Sequence, residues 1–128
     1  MKIEYKFKQF LKDVENLSNQ IKKYNPDCLI PIARGGLTLG HFLGEKLNIR
    51  DVFAINSIHY EKDKKLDYLK IKNIPNLKGK KRVVLIDDIS DSGETLEGVK
   101  KVIKNKYPNI KVKVATIFYK STSKVIPD

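Results

Sequence analysis

A short aliphatic run that ends in two adjacent carboxylates limits what this chain can fold into more than any other feature. Val83 to Ile86 has the pattern of a buried strand, and Asp87 and Asp88 follow it directly, before a small-residue turn. Two like charges at the end of a buried strand repel each other unless a cation or a hydrogen-bonding ligand offsets them. The segment therefore predicts a strand, a loop and a helix, with a ligand site at the carboxyl end of the strand.

The turn that follows has the composition of a phosphate-binding loop. Gly93 lets the backbone approach an oxyanion, hydroxyl side chains on either side of it add donors, and the helix that begins there presents N–H groups at its positive end. Asp87 and Asp88 cannot bind a phosphate, so they would bind sugar hydroxyls or a divalent cation. The pattern predicts a phosphorylated sugar as the ligand. The alternative is an ordinary helix capped by Asp91, with the two carboxylates as solvated polar residues.

Helix and strand patterns alternate along the chain. Apolar residues recur at helical spacing between Phe7 and Tyr24, and Asn25-Pro26 ends that helix. The later patterns predict a strand at Cys28 to Ala33, a helix at Leu37 to Leu47, a strand at Val52 to Ile58, a mobile loop with strand-like edges at Glu61 to Lys72, the strand at Val83 to Ile86, a helix from Leu96 to Lys106, and a strand at Ile110 to Tyr119. Such alternation predicts an α/β fold in which a mostly parallel, twisted sheet is flanked by helices.

The composition is that of one globular domain spanning residues 1–128, since 41% of the residues are apolar. The single cysteine, Cys28, excludes an internal disulfide and is expected to be a small core residue; with only two histidines, it leaves no Cys/His zinc cluster. This cysteine usage favours a reducing, cytoplasmic location. The longest aliphatic run is far shorter than the roughly 20 residues that span a bilayer, so no membrane partner is predicted.

The formal net charge is +11, from 26 Lys and Arg against 15 Asp and Glu, and nine of the basic residues lie between Lys62 and Arg82. Such an excess suits a polyanion or a phosphate-rich small molecule, and it equally suits a solvated lysine-rich surface. A nucleic-acid partner is not predicted, because the carboxylates of Asp87, Asp88 and Asp91 repel a phosphate backbone and no nucleic-acid-binding motif is present.

A second loop also follows a predicted strand. Arg34 lies between the apolar run that ends at Ala33 and two glycines, Gly35 and Gly36. In this setting a guanidinium can point at a pyrophosphate while the backbone amides of the glycines approach it. The alternative is an ordinary turn between a strand and a helix.

Together these segments resemble the type I phosphoribosyltransferase family. Val83 to Thr95 is similar to its phosphoribosyl pyrophosphate signature, Pro31 to Leu37 to its pyrophosphate loop, and Val112 to Lys120 to its late strand with a base-reading lysine. The combination resembles the 6-oxopurine branch of bacterial xanthine-guanine and hypoxanthine enzymes. The resemblance implies the type I phosphoribosyltransferase fold and a Mg²⁺-dependent transfer of the phosphoribosyl group of phosphoribosyl pyrophosphate to a purine base in purine salvage, giving a nucleoside monophosphate.

The resemblance also implies a role for each matching residue. Asp87 and Asp88 would hold the ribose hydroxyls and Mg²⁺, Asp91 would be the general base, and Lys120 would donate to the oxygen at purine C6. By the same resemblance, the backbone of Asp91, Ser92, Gly93, Glu94 and Thr95 would hold the 5′-phosphate, and Arg34 and Gly35 would hold the pyrophosphate. The family's loop often contains a cis peptide, which here would join Ala33 to Arg34. Ser90 and Ser92 replace larger residues of relatives without altering the phosphate cradle.

Two further expectations follow from the resemblance. A flexible hood over the active site would span about residues 60–73, beginning near His59 and Tyr60. Relatives continue past a segment like Ser123 to Asp128 with an aromatic that stacks on the purine, and the hood expected from these 128 residues is incomplete. Either the remainder of the chain has been removed, or the protein lacks the usual base pocket. The alternative function is therefore a protein of this fold that binds phosphoribosyl pyrophosphate or a nucleotide in a regulatory role without transfer. The family also implies a homodimer or homotetramer.

Overall fold

The computed structural model describes residues 7–62, 66–87 and 94–116. Three helices and five strands alternate along these ranges. In chain order they are α1 (Phe7–Tyr24), β1 (Cys28–Ala33), α2 (Leu37–Leu47), β2 (Ile55–Lys62), β3 (Leu66–Lys72), β4 (Arg82–Asp87), α3 (Glu94–Lys106) and β5 (Lys111–Thr116). The helices and most strands begin and end close to the residues that the sequence patterns predict.

The strands form one five-stranded sheet in the order β3-β2-β1-β4-β5. β1 pairs in parallel with β2 and with β4, and β4 pairs in parallel with β5, whereas β3 is antiparallel to β2. The mostly parallel α/β fold predicted from the sequence is confirmed. Because the parallel strands share a direction, their carboxyl ends meet at one edge of the sheet.

Each face of the sheet carries its own apolar core. Alternate residues of β1 and β4 point to α3, whose Leu96, Val99 and Ile103 are buried there together with Cys28 and Leu85. The intervening residues of the same strands point to the other face, where they pack against buried side chains of α1 and α2. Continuous apolar strands are therefore needed at the centre of this sheet, since both faces are covered.

Cys28 is a core residue, as predicted, and it is 0% exposed. Burial disfavours the thiolate and raises the pKa of the Cys28 thiol to about 12. The thiol therefore stays protonated at neutral pH and is not a candidate nucleophile.

Two asparagines end helices in the left-handed conformation. Asn25 has φ 55° and its N–H donates to the carbonyls of Ile21 and Lys22 at 3.1 and 3.0 Å, which closes α1 at the predicted residue. Asn48 closes α2 in the same way, with φ 56°. Asparagine is one of the few residues other than glycine that adopts this conformation readily.

The predicted strand at Val52 to Ile58 is wrong at its start, because β2 begins only at Ile55. Leu29 of β1 faces this strand with both backbone groups, donating to the Asp51 carbonyl at 3.0 Å and accepting from the Phe53 N–H at 2.9 Å. In a parallel strand, every second residue directs its backbone N–H and C=O to the same neighbouring strand, so Pro31 is the next residue of β1 that faces the segment before β2. Proline has no N–H, so it cannot donate the next hydrogen bond of the ladder. Val52 therefore forms only an isolated bridge, and continuous pairing resumes at Ile32 with Ile55.

The loop predicted at Glu61 to Lys72 is also wrong for most of its backbone. β2 and β3 form a hairpin whose pairing runs from Asn56 opposite Lys72 to Lys62 opposite Leu66, and only residues 63–65 between them lie outside the described residues. Antiparallel strands need one buried face at most, so a segment rich in charge can still satisfy its backbone in a ladder. The flexibility expected of residues 60–73 stays a prediction.

No helix in the described part of the chain is long and apolar enough to cross a membrane.

Candidate active site

The strand order creates a crevice between β1 and β4. From β1 the chain passes through α2 to β2 on one side, and from β4 it passes through α3 to β5 on the other side. The two helices lie on opposite faces of the sheet. In open α/β sheets, ligands bind beyond the carboxyl ends of two adjacent strands whose connections diverge in this way. The two loops singled out by the sequence are the loops that leave these two strands.

The loop after β1 is a tight turn that leaves its arginine accessible. Arg34 and Gly35 are exposed, and the peptide bond joining Ala33 to Arg34 is cis, as the family resemblance implies. The Arg34 carbonyl accepts a hydrogen bond from the Leu37 N–H at 3.1 Å, which links the turn to the first residue of α2. Arg34 therefore projects from a short, hydrogen-bonded support at the edge of the crevice.

Gly36 differs from its neighbour because it is buried. Its N–H donates to the Ile32 carbonyl at 2.8 Å, so this amide is used by the turn. The expectation that the Gly36 amide approaches a pyrophosphate is therefore wrong, since that amide already has a partner. Gly36 instead allows two backbone segments to pack closely together.

The packing partner of Gly36 is the end of β4. A Cβ added at this position would overlap the Ile86 carbonyl oxygen and lie 3.0 Å from the N and O atoms of Ile32. Gly36 has φ −84° and ψ −3°, so its conformation does not demand glycine, but the close approach of the two backbones does. The loop after β1 thus lies directly against the residue that precedes Asp87.

Asp87 is the last residue of β4 and is half-buried. It pairs with Thr116, the last residue of β5. Alternation along β4 places Asp87 on the same face as Val83 and Leu85, which is the face covered by α3. The carboxylate therefore belongs to the edge of the sheet where the Arg34 loop lies.

Helix α3 begins at Glu94, and Thr95 in its first turn is half-buried. This start agrees with the predicted helix that opens after the small-residue turn. Five of the predicted site residues lie outside the described residues: Asp88, Asp91, Ser92, Gly93 and Lys120. The structure thus brings together Arg34, Gly35 and Asp87 at one edge.

The structure also places three residues to which the sequence assigned no definite role. His41 is exposed on α2 and its ring centre lies 5.4 Å from that of Phe42, so it belongs to the helix surface. The backbone of His59 is paired within the hairpin, opposite Leu69. Thr116 is buried and pairs with Asp87, a placement that sequence reasoning missed; the signal that could have found it is a hydroxyl at an alternating position among aliphatic residues of the last strand.

Among the described residues, no group of three or more His, Cys, Asp or Glu side chains is placed to hold a metal ion. Asp88, the second predicted ligand of Mg²⁺, lies outside those residues. Mg²⁺ binding therefore stays a prediction.

Comparison with known proteins decides the family. A family model described as the phosphoribosyl transferase domain matches residues 5–128. The chain belongs to the phosphoribosyltransferase family. The type I resemblance drawn from the loops after β1 and β4 is therefore confirmed.

Two solved phosphoribosyltransferases are similar to the chain in both sequence and fold. The Helicobacter pylori xanthine-guanine-hypoxanthine phosphoribosyltransferase is 38% identical, with a TM-score of 0.84 over 97% of this chain and 82% of that one. A purine phosphoribosyltransferase from Pyrococcus horikoshii is 32% identical, with a TM-score of 0.79 over 94% of this chain and 80% of that one.

An adenine phosphoribosyltransferase from Thermoanaerobacter pseudethanolicus shares the fold at 18% identity, with a TM-score of 0.59 over 87% of this chain and 80% of that one. The phosphoribosyltransferase fold by itself therefore does not select the base.

We predict that Gly36→Ala lowers the free energy of unfolding, because the added methyl forces the loop after β1 away from the Ile86 carbonyl; overpacking of this kind typically costs about 1–3 kcal/mol. Gly35→Ala is the matched control, since Gly35 is exposed. Thermal unfolding of the two variants measures the difference. Equal melting temperatures would show that the loop after β1 is not packed against the end of β4 at Gly36.

Proposed function

We propose that this phosphoribosyltransferase transfers the phosphoribosyl group of phosphoribosyl pyrophosphate to a 6-oxopurine: guanine, xanthine or hypoxanthine. The observation that carries the proposal is the contact between the Arg34 loop and the end of β4, which brings a guanidinium and a carboxylate to one crevice. The names of the two relatives above 30% identity, which specify purine and, for one, 6-oxopurine bases, support the choice of acceptor.

Groups of opposite charge in the crevice suit the parts of phosphoribosyl pyrophosphate. The exposed Arg34 guanidinium can bind the pyrophosphate through two parallel N–H donors. The Asp87 carboxylate can accept hydrogen bonds from the ribose hydroxyls. The 5′-phosphate is assigned to Asp91 through Thr95, at the positive end of the 13-residue helix α3.

The proposed reaction exchanges one substituent at ribose C1′ for another. The bond from C1′ to the pyrophosphate oxygen breaks with its electron pair on the pyrophosphate, and a purine ring nitrogen forms the new bond to C1′. The proton on that nitrogen passes to a general base, which we assign to Asp91. The positive charge that develops on the ribose is stabilised by the nearby Asp87 carboxylate.

Magnesium fits the donor chemistry of this site. The half-buried Asp87 offers carboxylate oxygens at the edge of the crevice, and such oxygens are the ligands that Mg²⁺ prefers. Asp87 together with Asp88 would hold the ion, which when bound supplies positive charge to offset that of the pyrophosphate.

Lys120 is assigned to the base. It lies four positions after Thr116, the last described residue of β5, and an ammonium group can only donate hydrogen bonds. We therefore assign it to the oxygen at purine C6. The predicted homodimer or homotetramer and the cytoplasmic location stay part of the proposal.

We predict that phosphoribosyl pyrophosphate binds this chain in the presence of Mg²⁺ and raises its melting temperature, because a ligand that binds only the folded state stabilises it. Arg34→Ala should weaken binding. Arg50 is also exposed, in the segment before β2, so Arg50→Ala removes the same charge outside the crevice and should leave binding unchanged.

Isothermal titration calorimetry on the three proteins measures this difference. An absence of Mg²⁺-dependent binding to the unaltered chain at millimolar ligand would overturn the assignment of the loops after β1 and β4.

Asp91→Asn should reduce the rate of purine transfer about 10²- to 10⁴-fold, because it removes the proton acceptor. Binding of phosphoribosyl pyrophosphate should change much less, since the backbone of the phosphate cradle is retained. Steady-state transfer kinetics and calorimetry on the same variant separate the two effects. Normal turnover in Asp91→Asn would mean that another group accepts the proton.

Adenine should be a very poor acceptor, because its amino group at C6 and the Lys120 ammonium are both donors; a site built for one hydrogen-bonding pattern can reject its mismatch by about 10⁴-fold. Competition among adenine, guanine, xanthine and hypoxanthine in a transfer assay measures the preference. Preferred use of adenine would contradict the role of Lys120 while leaving the phosphoribosyl pyrophosphate site intact. Binding of phosphoribosyl pyrophosphate with no transfer to any of the four purines would favour a regulatory protein.

A further inference from the structure

Thr116 carries a buried hydroxyl that nothing in the described chain satisfies. The residue is 1% exposed, and its Oγ1 atom makes no hydrogen bond with residues 7–62, 66–87 or 94–116. A hydroxyl removed from water without a new partner is destabilising, so buried polar groups are nearly always paired. Such a group at the edge of a proposed active site calls for a functional explanation.

The position of Thr116 identifies the partner. It lies opposite Asp87 in the parallel ladder of β4 and β5, at the last pair of that ladder. Alternation along β5 places Thr116 on the same face as Val112 and Val114, which pack in the core beneath α3. Asp87 is on that face of the neighbouring strand, and neighbouring strands lie about 4.8 Å apart. The hydroxyl and the carboxylate are therefore lateral neighbours.

We propose that Thr116 is a positioning residue for Asp87. In the complex with phosphoribosyl pyrophosphate, its hydroxyl donates a hydrogen bond to the Asp87 carboxylate and holds that carboxylate toward the ribose hydroxyls. Thr116 acts through Asp87 and not by touching the substrate, because its Oγ1 atom has no accessible surface. The inference rests on the proposed function.

The chemistry of threonine suits this role. A hydroxyl rotates freely to aim its proton, and a hydrogen bond from a hydroxyl to an ionised carboxylate is among the stronger ones in proteins. The backbone pairing of Asp87 with Thr116 fixes the position of the Asp87 Cα, and the half-buried carboxylate lies within the reach of a donor on the adjacent strand. The Thr116 hydroxyl can therefore orient the carboxylate without occupying the crevice.

The test compares Thr116→Val with Thr116→Ser in the full chain. Valine keeps the shape of threonine and removes the hydroxyl, whereas serine keeps the hydroxyl. Thr116→Val should weaken Mg²⁺-dependent binding of phosphoribosyl pyrophosphate at least about tenfold, as expected for loss of a hydrogen bond to a charged group. Its melting temperature without ligand should stay the same or rise, because a buried unpartnered hydroxyl has been removed. Thr116→Ser should bind nearly as well as the unaltered chain.

A double-mutant cycle with Asp87→Asn tests whether the effect passes through the carboxylate. If it does, Thr116→Val causes a much smaller further loss of affinity once Asp87 is already replaced. Calorimetry on the four proteins of the cycle gives this coupling.

Three results would overturn the inference while leaving the proposed function intact: unchanged binding by Thr116→Val, equal losses of binding and stability in both Thr116 variants, or the same fold-loss in the two Asp87 backgrounds. Failure of the unaltered chain to bind phosphoribosyl pyrophosphate would instead overturn the proposed function, and this inference with it.

Discussion

The pairing of β1 with β4 is the constraint on which the rest of the structure depends. These strands are far apart in the sequence, yet Cys28 to Pro31 lie opposite Val83 to Ile86, so the loops that follow them leave the sheet side by side. Because side chains alternate between the two faces, a slip of one residue in this register would turn Asp87 to the opposite face. The buried apolar residues on both faces prevent such a slip, since each belongs to its own core. The core therefore sets the position of the carboxylate.

The backbone contact at Gly36 fixes the position of the loop after β1 relative to β4. The loop cannot move toward the sheet, because it already lies against the Ile86 carbonyl, and its turn is fixed by hydrogen bonds to Ile32 and Leu37. The backbone of the Arg34 loop is thereby held against the strand end that carries the Asp87 carboxylate. A site with both charges suits a ligand that combines hydroxyls with phosphates better than a uniform polyanion.

Sequence patterns predicted the elements whose determinants are local. A few neighbouring residues are enough to predict the apolar spacing of α1, the asparagine that ends it, and the strand before Arg34. The start of β2 could not be predicted in this way, because it depends on the N–H that Pro31 lacks on a different strand. The hairpin of β2 and β3 was missed for the same reason, since its stability comes from pairing between strands rather than from apolar periodicity.

The candidate site likewise has features that were predictable from local sequence and features that were not. Its location at the ends of β1 and β4 was predictable, because strands in a parallel sheet end at one edge. The partnered amide of Gly36 and the buried hydroxyl of Thr116 were not, since both depend on contacts across the sheet or within the folded turn. The roles of Asp88, Asp91, Ser92, Gly93 and Lys120 rest on family resemblance.

The order of the strands also suggests a role for some of the lysines that does not involve a ligand. β3 and β5 are the outermost strands of the described sheet, and each carries exposed lysines: Lys70 and Lys72 on one, Lys111 and Lys113 on the other. An outermost strand offers its unused backbone groups to any passing extended chain, and lysines on such a strand oppose that docking by charge repulsion and by the loss of their hydration. Part of the +11 charge thus lies where it opposes pairing of this sheet with another extended chain.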